Sequence, residues 1–123
     1  MKICLQALFA VCCLLFSLNA AAHKPSDSYL LLQADGLLRW DIALRDLEQA
    51  VGVDTNQDGQ ITWGELKQQQ TAISAYALSR FQLQQDNTVC RLSLQQMQID
   101  EHTDGAYAVL MFQSSCALAA NTK

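Results

Sequence analysis

The stretch VCRLSLQQMQIDEHTDGAYAVLMFQSSC, Val89 to Cys116, carries a cysteine near its start, another at its end, and two largely apolar runs between them. The first run changes phase midway: Leu92 and Leu94 share one parity, Met97 and Ile99 the other. Successive side chains of a strand point to opposite faces, so a β-bulge near Gln95-Gln96, reversing the exposed face of the rest of the strand, accounts for the change. The second run, AYAVLMFQSSC, is apolar in both phases, the pattern of a central strand or of one covered on both faces. A hairpin centred near Thr103 sets Cys90 opposite Cys116, and a turn at Asp104-Gly105 shifts that register by only a few residues. The two cysteines are therefore expected to form one disulfide that clamps the open end of the hairpin.

Working back along the chain, Phe81 and Leu83 alternate with Gln82 and Gln84 before the turn residues Asp86-Asn87. Before them, TWGELKQQQTAISAYAL contains no proline, and Leu66, Ile73 and Ala77 recur near the 3.6-residue period. A helix is expected over Trp63 to Leu78, and a shorter one over RDLEQAVGV, where Leu47, Ala50 and Val51 have helical spacing. SYLLLQA from Ser28 and LLRWDIAL from Leu37 flank Asp35-Gly36, a strong hairpin signal. The fold class is thus α+β: a small antiparallel sheet of about five strands with a single helix-loop-helix insertion between the second and third strands.

The N-terminus has export character. Lys2 precedes an apolar run from Ile3 to Leu18, broken only by Gln6 and Ser17, and Asn19-Ala20-Ala21-Ala22 supplies the small residues of a cleavage site. Residues 1–22 are read as a signal peptide cleaved after Ala22, and 23–123 as a single domain, periplasmic or secreted and soluble. Three of the five cysteines leave with the signal, so Cys90 and Cys116 remain as a pair in a compartment where disulfides persist. Losing Lys2 moves the formal charge from −4 to −5, with no basic cluster to neutralise phosphates. Nucleic acid is not expected as a partner, and no further apolar run has spanning length.

Between the two expected helices lies DTNQDGQITWGE, Asp54 to Glu65. Calcium takes six to eight oxygen ligands, and a twelve-residue EF-hand loop supplies them from alternating positions. Asp54, Asn56, Asp58, the Gln60 carbonyl, Thr62 and Glu65 fill those positions, with Gly59 at the sharp turn. Thr62 and Glu65 also have capping-box spacing. Val53 and Leu66 would pin the loop ends, and Ile61 would point inward. The expectation is calcium binding through one loop, mainly structural. Such loops usually pair, but the other candidate, DEHTDGAYAVLM from Asp100, has His102 at the third position, Met111 at the twelfth and a strand-like run where the exit helix should be. It reads better as a turn between strands. A single loop should bind weakly unless two chains pair their loops in a homodimer.

Three segments, HKPSDSYLLL from His23, RWDIALRDLEQAVGVDTNQDGQITWGEL from Arg39 and AISAYALSR from Ala72, resemble the extracytoplasmic N-terminal region of HupE/UreJ-like bacterial membrane proteins. The resemblance implies an exported domain with one calcium loop, in a family associated with transport of nickel or other metals. The multi-helix membrane part of that family has no counterpart in these residues. The second reading is therefore a nickel or copper carrier or accessory protein beside such a transporter, with a membrane or periplasmic protein as partner.

No constellation for catalysis stands out, and an enzyme is not expected. His23 and His102 are the two histidines, with Lys24, Asp41 and Glu101 among possible partners. After cleavage, His23 would offer an amino group and an imidazole, a chelate suited to copper or nickel. Asp41 interrupts the apolar RWDIAL and should face solvent or pair with Arg39 or Arg45. Trp40 is expected in the core.

Overall fold

The computed structural model describes residues 28–116. The expected signal segment 1–22, with its expected cleavage point and His23 terminus, lies outside them. Strands β1 (Ser28–Leu32) and β2 (Leu37–Ala43) form the expected hairpin. Three helices follow, α1 (Leu44–Val51), α2 (Trp63–Gln68) and α3 (Gln70–Arg80), then β3 (Gln84–Gln85), β4 (Thr88–Val89), β5 (Leu92–His102) and β6 (Gly105–Ser114). The main sheet is antiparallel in the order β1-β2-β6-β5, so the strand that is apolar in both phases is indeed internal.

Two expectations are corrected. The sheet has four strands, not about five, because β3 and β4 form a separate two-stranded ribbon. Asp86 and Asn87 both take positive φ, 47° and 63°, and turn the chain back after two residues, too few to reach the main sheet. The expected helix from Trp63 is interrupted at Gln69, whose ψ of 7° departs from helical values. The hydrogen bonds from Gln69 N–H to Glu65 and from Ile73 N–H to Gln69 persist through the break, so α2 and α3 still share one buried stripe of Leu66, Ile73 and Ala77. No proline or glycine marks this interruption in the sequence.

The bulge falls at Gln95. From His102 to Gln96 each β5 residue has its partner on β6, Gln95 is skipped, and the ladder resumes with Leu94 opposite Phe112. The inserted residue brings Leu92, Leu94, Met97 and Ile99 to the same core despite their different parities. It also sets the register that, continued past Leu92 and Ser114, places Cys90 opposite Cys116. That disulfide is formed, with Cα atoms 5.5 Å apart.

The helices cover one face of the sheet. Leu38 and Ile42 of β2, Ala108, Leu110 and Phe112 of β6 and Met97 of β5 meet Leu47, Val53, Leu66 and Ile73 there, and burying each large apolar side chain is worth about 1.5–3 kcal/mol. Trp40 packs on this core and against Phe81, with ring centroids 6.0 Å apart. Where β1 turns into β2, Gly36 has φ +85° and lies against the end of β6. A Cβ there would sit 2.9 Å from the Cys116 carbonyl oxygen, so the approach requires glycine. Side chains alternate along each strand, so Arg39, Asp41, Asp100 and His102 project from the opposite face.

Candidate metal centre

Asp41 sits on β2, and Asp100 and His102 sit at the end of β5 beyond the bulge. Metal-ligating atoms of these three side chains lie within 4.8 Å of one another. The bulge makes this possible: with Gln95 paired in line, the strand that puts Leu92 and Leu94 in the core would put Asp100 and His102 there too. Asp41 is 2% exposed although it stands on the face away from the helices. His102 is partly shielded by two tyrosines, stacked on Tyr29 at 4.9 Å and tilted against Tyr107 at 4.2 Å. The imidazole is thereby held in one plane, with Nε2 2.9 Å from Asp41 Oδ2. A carboxylate can only accept, so Nε2 carries the hydrogen in this contact. An ion bound at Nε2 would take that hydrogen's place, and the neutral ring would then carry its single hydrogen on Nδ1.

Arg39 holds the two acids together. Its Nε donates to Asp41 Oδ1 at 2.8 Å, while Nη2 donates to Asp41 Oδ2 at 2.8 Å and to Asp100 Oδ2 at 3.0 Å. The Arg39 guanidinium, assisted by His102, lowers the Asp41 pKa from its ordinary value against the opposing effect of burial. Those acids in turn raise the pKa of Arg39. The guanidinium is thus a resident cation on the oxygens that would ligate an ion, and binding there requires it to withdraw. Next to the cluster, Tyr107 donates its hydroxyl to Asp104 at 2.7 Å, and that bond, with burial, pushes the phenol pKa up to about 12.

The loop from Asp54 to Glu65 is built differently. Asp54 accepts from the N–H groups of Asp58 and Gly59. Asp58 accepts from Gln60 N–H and from the Asn56 amide, whose oxygen accepts from Asp58 N–H. Glu65 Oε2 accepts from Thr62 N–H and hydroxyl, and Oε1 from Thr55 and Asn56 N–H. The capping box is complete, since Glu65 N–H donates back to the Thr62 hydroxyl. The Thr62 N–H is the main cause that lowers the Glu65 pKa. Val53 and Leu66 are fully buried, and Ile61 packs on the core, so the anchors are as expected.

Calcium binding through this loop, the function expected from the sequence, is corrected by this arrangement. Among the described residues, the side chains that converge with metal-ligand spacing are Asp41, Asp100 and His102, not Asp54, Asp58 and Glu65. The physical reason is that every carboxylate oxygen of the loop is turned onto the loop's own donors. The sequence did contain the pointers to the other centre: an acid within an apolar strand, expected to face solvent or pair with Arg39 or Arg45 and found on Arg39, and Asp100 and His102 on one parity after a phase change. What it lacked was the pairing that brings β2 and β5 to either side of β6.

Among the described residues, no helix is long and apolar enough to cross a membrane. Comparison of the chain with family models, with curated proteins and with solved structures gives no match.

Proposed function

We propose that this protein is a metal-binding carrier or accessory module that takes a divalent transition ion, nickel or copper, at Asp41, Asp100 and His102. The observation that carries the reading is the convergence of one imidazole and two carboxylates within 4.8 Å on one sheet face. An imidazole in the set favours nickel and copper over the hard ions, and both stand high in the general affinity order for divalent metals. Arg39 on the same oxygens keeps the acids close without an ion and competes with it when it comes, which suits reversible holding better than permanent capture. The export signal read in residues 1–22 and the resemblance to HupE/UreJ-like proteins support a role outside the cytoplasm beside a metal transporter. The reading is of binding, not catalysis.

Calorimetric titration of the purified protein with nickel and with copper tests it. One equivalent is expected to bind, with binding lost in Asp41→Asn and His102→Ala and kept in Asp58→Asn. Unchanged binding in His102→Ala, with loss in His23→Ala, would move the site to the amino terminus and refute this assignment.

A further inference from the structure

We infer that the ion is received already held by a small α-amino carboxylate chelator, and that Arg39 transfers from the site's acids to the chelator's carboxylate as the ion is taken up. This rests on the proposed metal site and names what that site would accept. Three protein ligands fill only half of an octahedral sphere, so the remaining positions must come from elsewhere.

The cluster opens onto a groove of about 460 Å³, lined by Tyr29, Leu30, Leu31, Arg39, Asp41 and His102. The groove is shallow and open to solvent, and it offers more room beside the cluster than the few waters of a bare ion need. Its composition is also uneven. Tyr29 and Leu31, 48% and 55% exposed, offer an apolar wall on the same face as Arg39 and Asp41, which with His102 also line the groove. A bare aquo-ion has no use for such a wall, whereas the carbon skeleton of a chelator does.

Charge points the same way. Asp41, Asp100 and Arg39 together carry one net negative charge. A divalent ion changes this to one net positive charge, beside an aspartate that is almost wholly buried, and a single anionic ligand restores neutrality. The guanidinium released by the ion needs a planar two-oxygen acceptor, and a carboxylate on the chelator supplies it in the fork geometry Arg39 already uses with Asp41. Its side chain is one-third exposed, so it can turn toward the groove without leaving the sheet face.

The test holds free nickel at equal activity with L-histidine in one series and with a carboxylate-free polyamine in the other. Half-saturation is expected at about tenfold lower free nickel in the histidine series. Native mass spectrometry of the wild-type protein should show chain, nickel and histidine in one complex. In Arg39→Gln the histidine advantage should disappear while binding in the polyamine series is kept or strengthened. Arg39→Lys, which retains the charge that balances Asp41 but not the fork, should lose most of the advantage and covers the case in which the glutamine form does not fold. Equal saturation in both series, with only chain plus nickel in the spectrum, overturns the chelate inference and leaves the metal site standing. Absence of nickel in both series removes the site itself.

Discussion

In the loop from Asp54 to Glu65 the acids are sequence neighbours, and each is held by donors no more than ten residues away. Asp41 and Asp100 instead come from strands that do not pair, with β6 between them, and the guanidinium of Arg39, beside Asp41 on β2, reaches an acid 61 residues further along the chain. In the first region the carboxylates complete the backbone. Their work is to satisfy N–H groups that a sharp turn and a helix start leave without partners. In the second the sheet ladder takes up most of the backbone groups, and apart from Asp100 Oδ1, which accepts from Glu101 N–H, the carboxylate oxygens are held by the Arg39 and His102 side chains. Similar residues thus have different uses, according to whether the main chain nearby still needs acceptors.

Four perturbations separate the two regions. The largest should come from the disulfide. Replacing Cys90 and Cys116 together by alanine is expected to lower the unfolding free energy by about 2–4 kcal/mol, measured by urea denaturation. An unchanged midpoint would show that the β5–β6 register is held by its bulge and core residues alone. Arg39→Gln should cost about 2 kcal/mol, because it leaves Asp41 buried beside His102 with its main donor gone. If that variant is as stable as the parent, Asp41 is reached by water and the sheet face is less closed than its 2% exposure indicates.

Next comes the loop's own cap: Thr62→Ala should cost about 1 kcal/mol and speed amide exchange in the first turn of α2. Nickel affinity should not change, and a parallel loss of affinity would couple the two regions.

Acid and salt give the finest distinction. Asp41 and Glu65 both have pKa values lowered in the folded state, so each contributes stability above its unfolded-chain value, 3.8 and 4.5, and loses it as pH falls through the lower folded value. The cause is a guanidinium for Asp41 and chiefly a backbone N–H for Glu65. Raising salt to about 1 M should therefore weaken the Asp41 contribution by a fraction of a kcal/mol and leave the Glu65 contribution nearly intact. Chemical-shift titration of the two carboxyl carbons reads this directly, and equal salt shifts would contradict the assigned causes.

Features written in local pattern were readable before folding was considered. The Asp35-Gly36 hairpin, the phase change at Gln95, the capping pair Thr62 and Glu65, and the cysteine register all depend on residues near in sequence or symmetric about one turn. The break at Gln69 was not readable, because a run of glutamines carries no periodic or steric mark. The candidate metal centre was hidden for a different reason. Asp54 to Glu65 presents its ligand pattern in one continuous stretch, whereas Asp41, Asp100 and His102 become a set only through the order β1-β2-β6-β5, which no short pattern encodes.

That strand order has a consequence for the life history of the chain. β5 and β6 are joined by Thr103 and Asp104 alone and can zip together early, but β2 must reach the far side of β6 after the whole helical segment has been laid down. Closing so long a loop is entropically slow relative to a local hairpin. A chain holding only the hairpin has Asp100 and His102 and lacks Asp41, so the third ligand arrives with the last strand to dock. On the proposed reading an ion would be accepted only by finished molecules, and its binding would draw them further from the unfolded pool. Completion of the sheet and completion of the three-residue cluster are thus a single event.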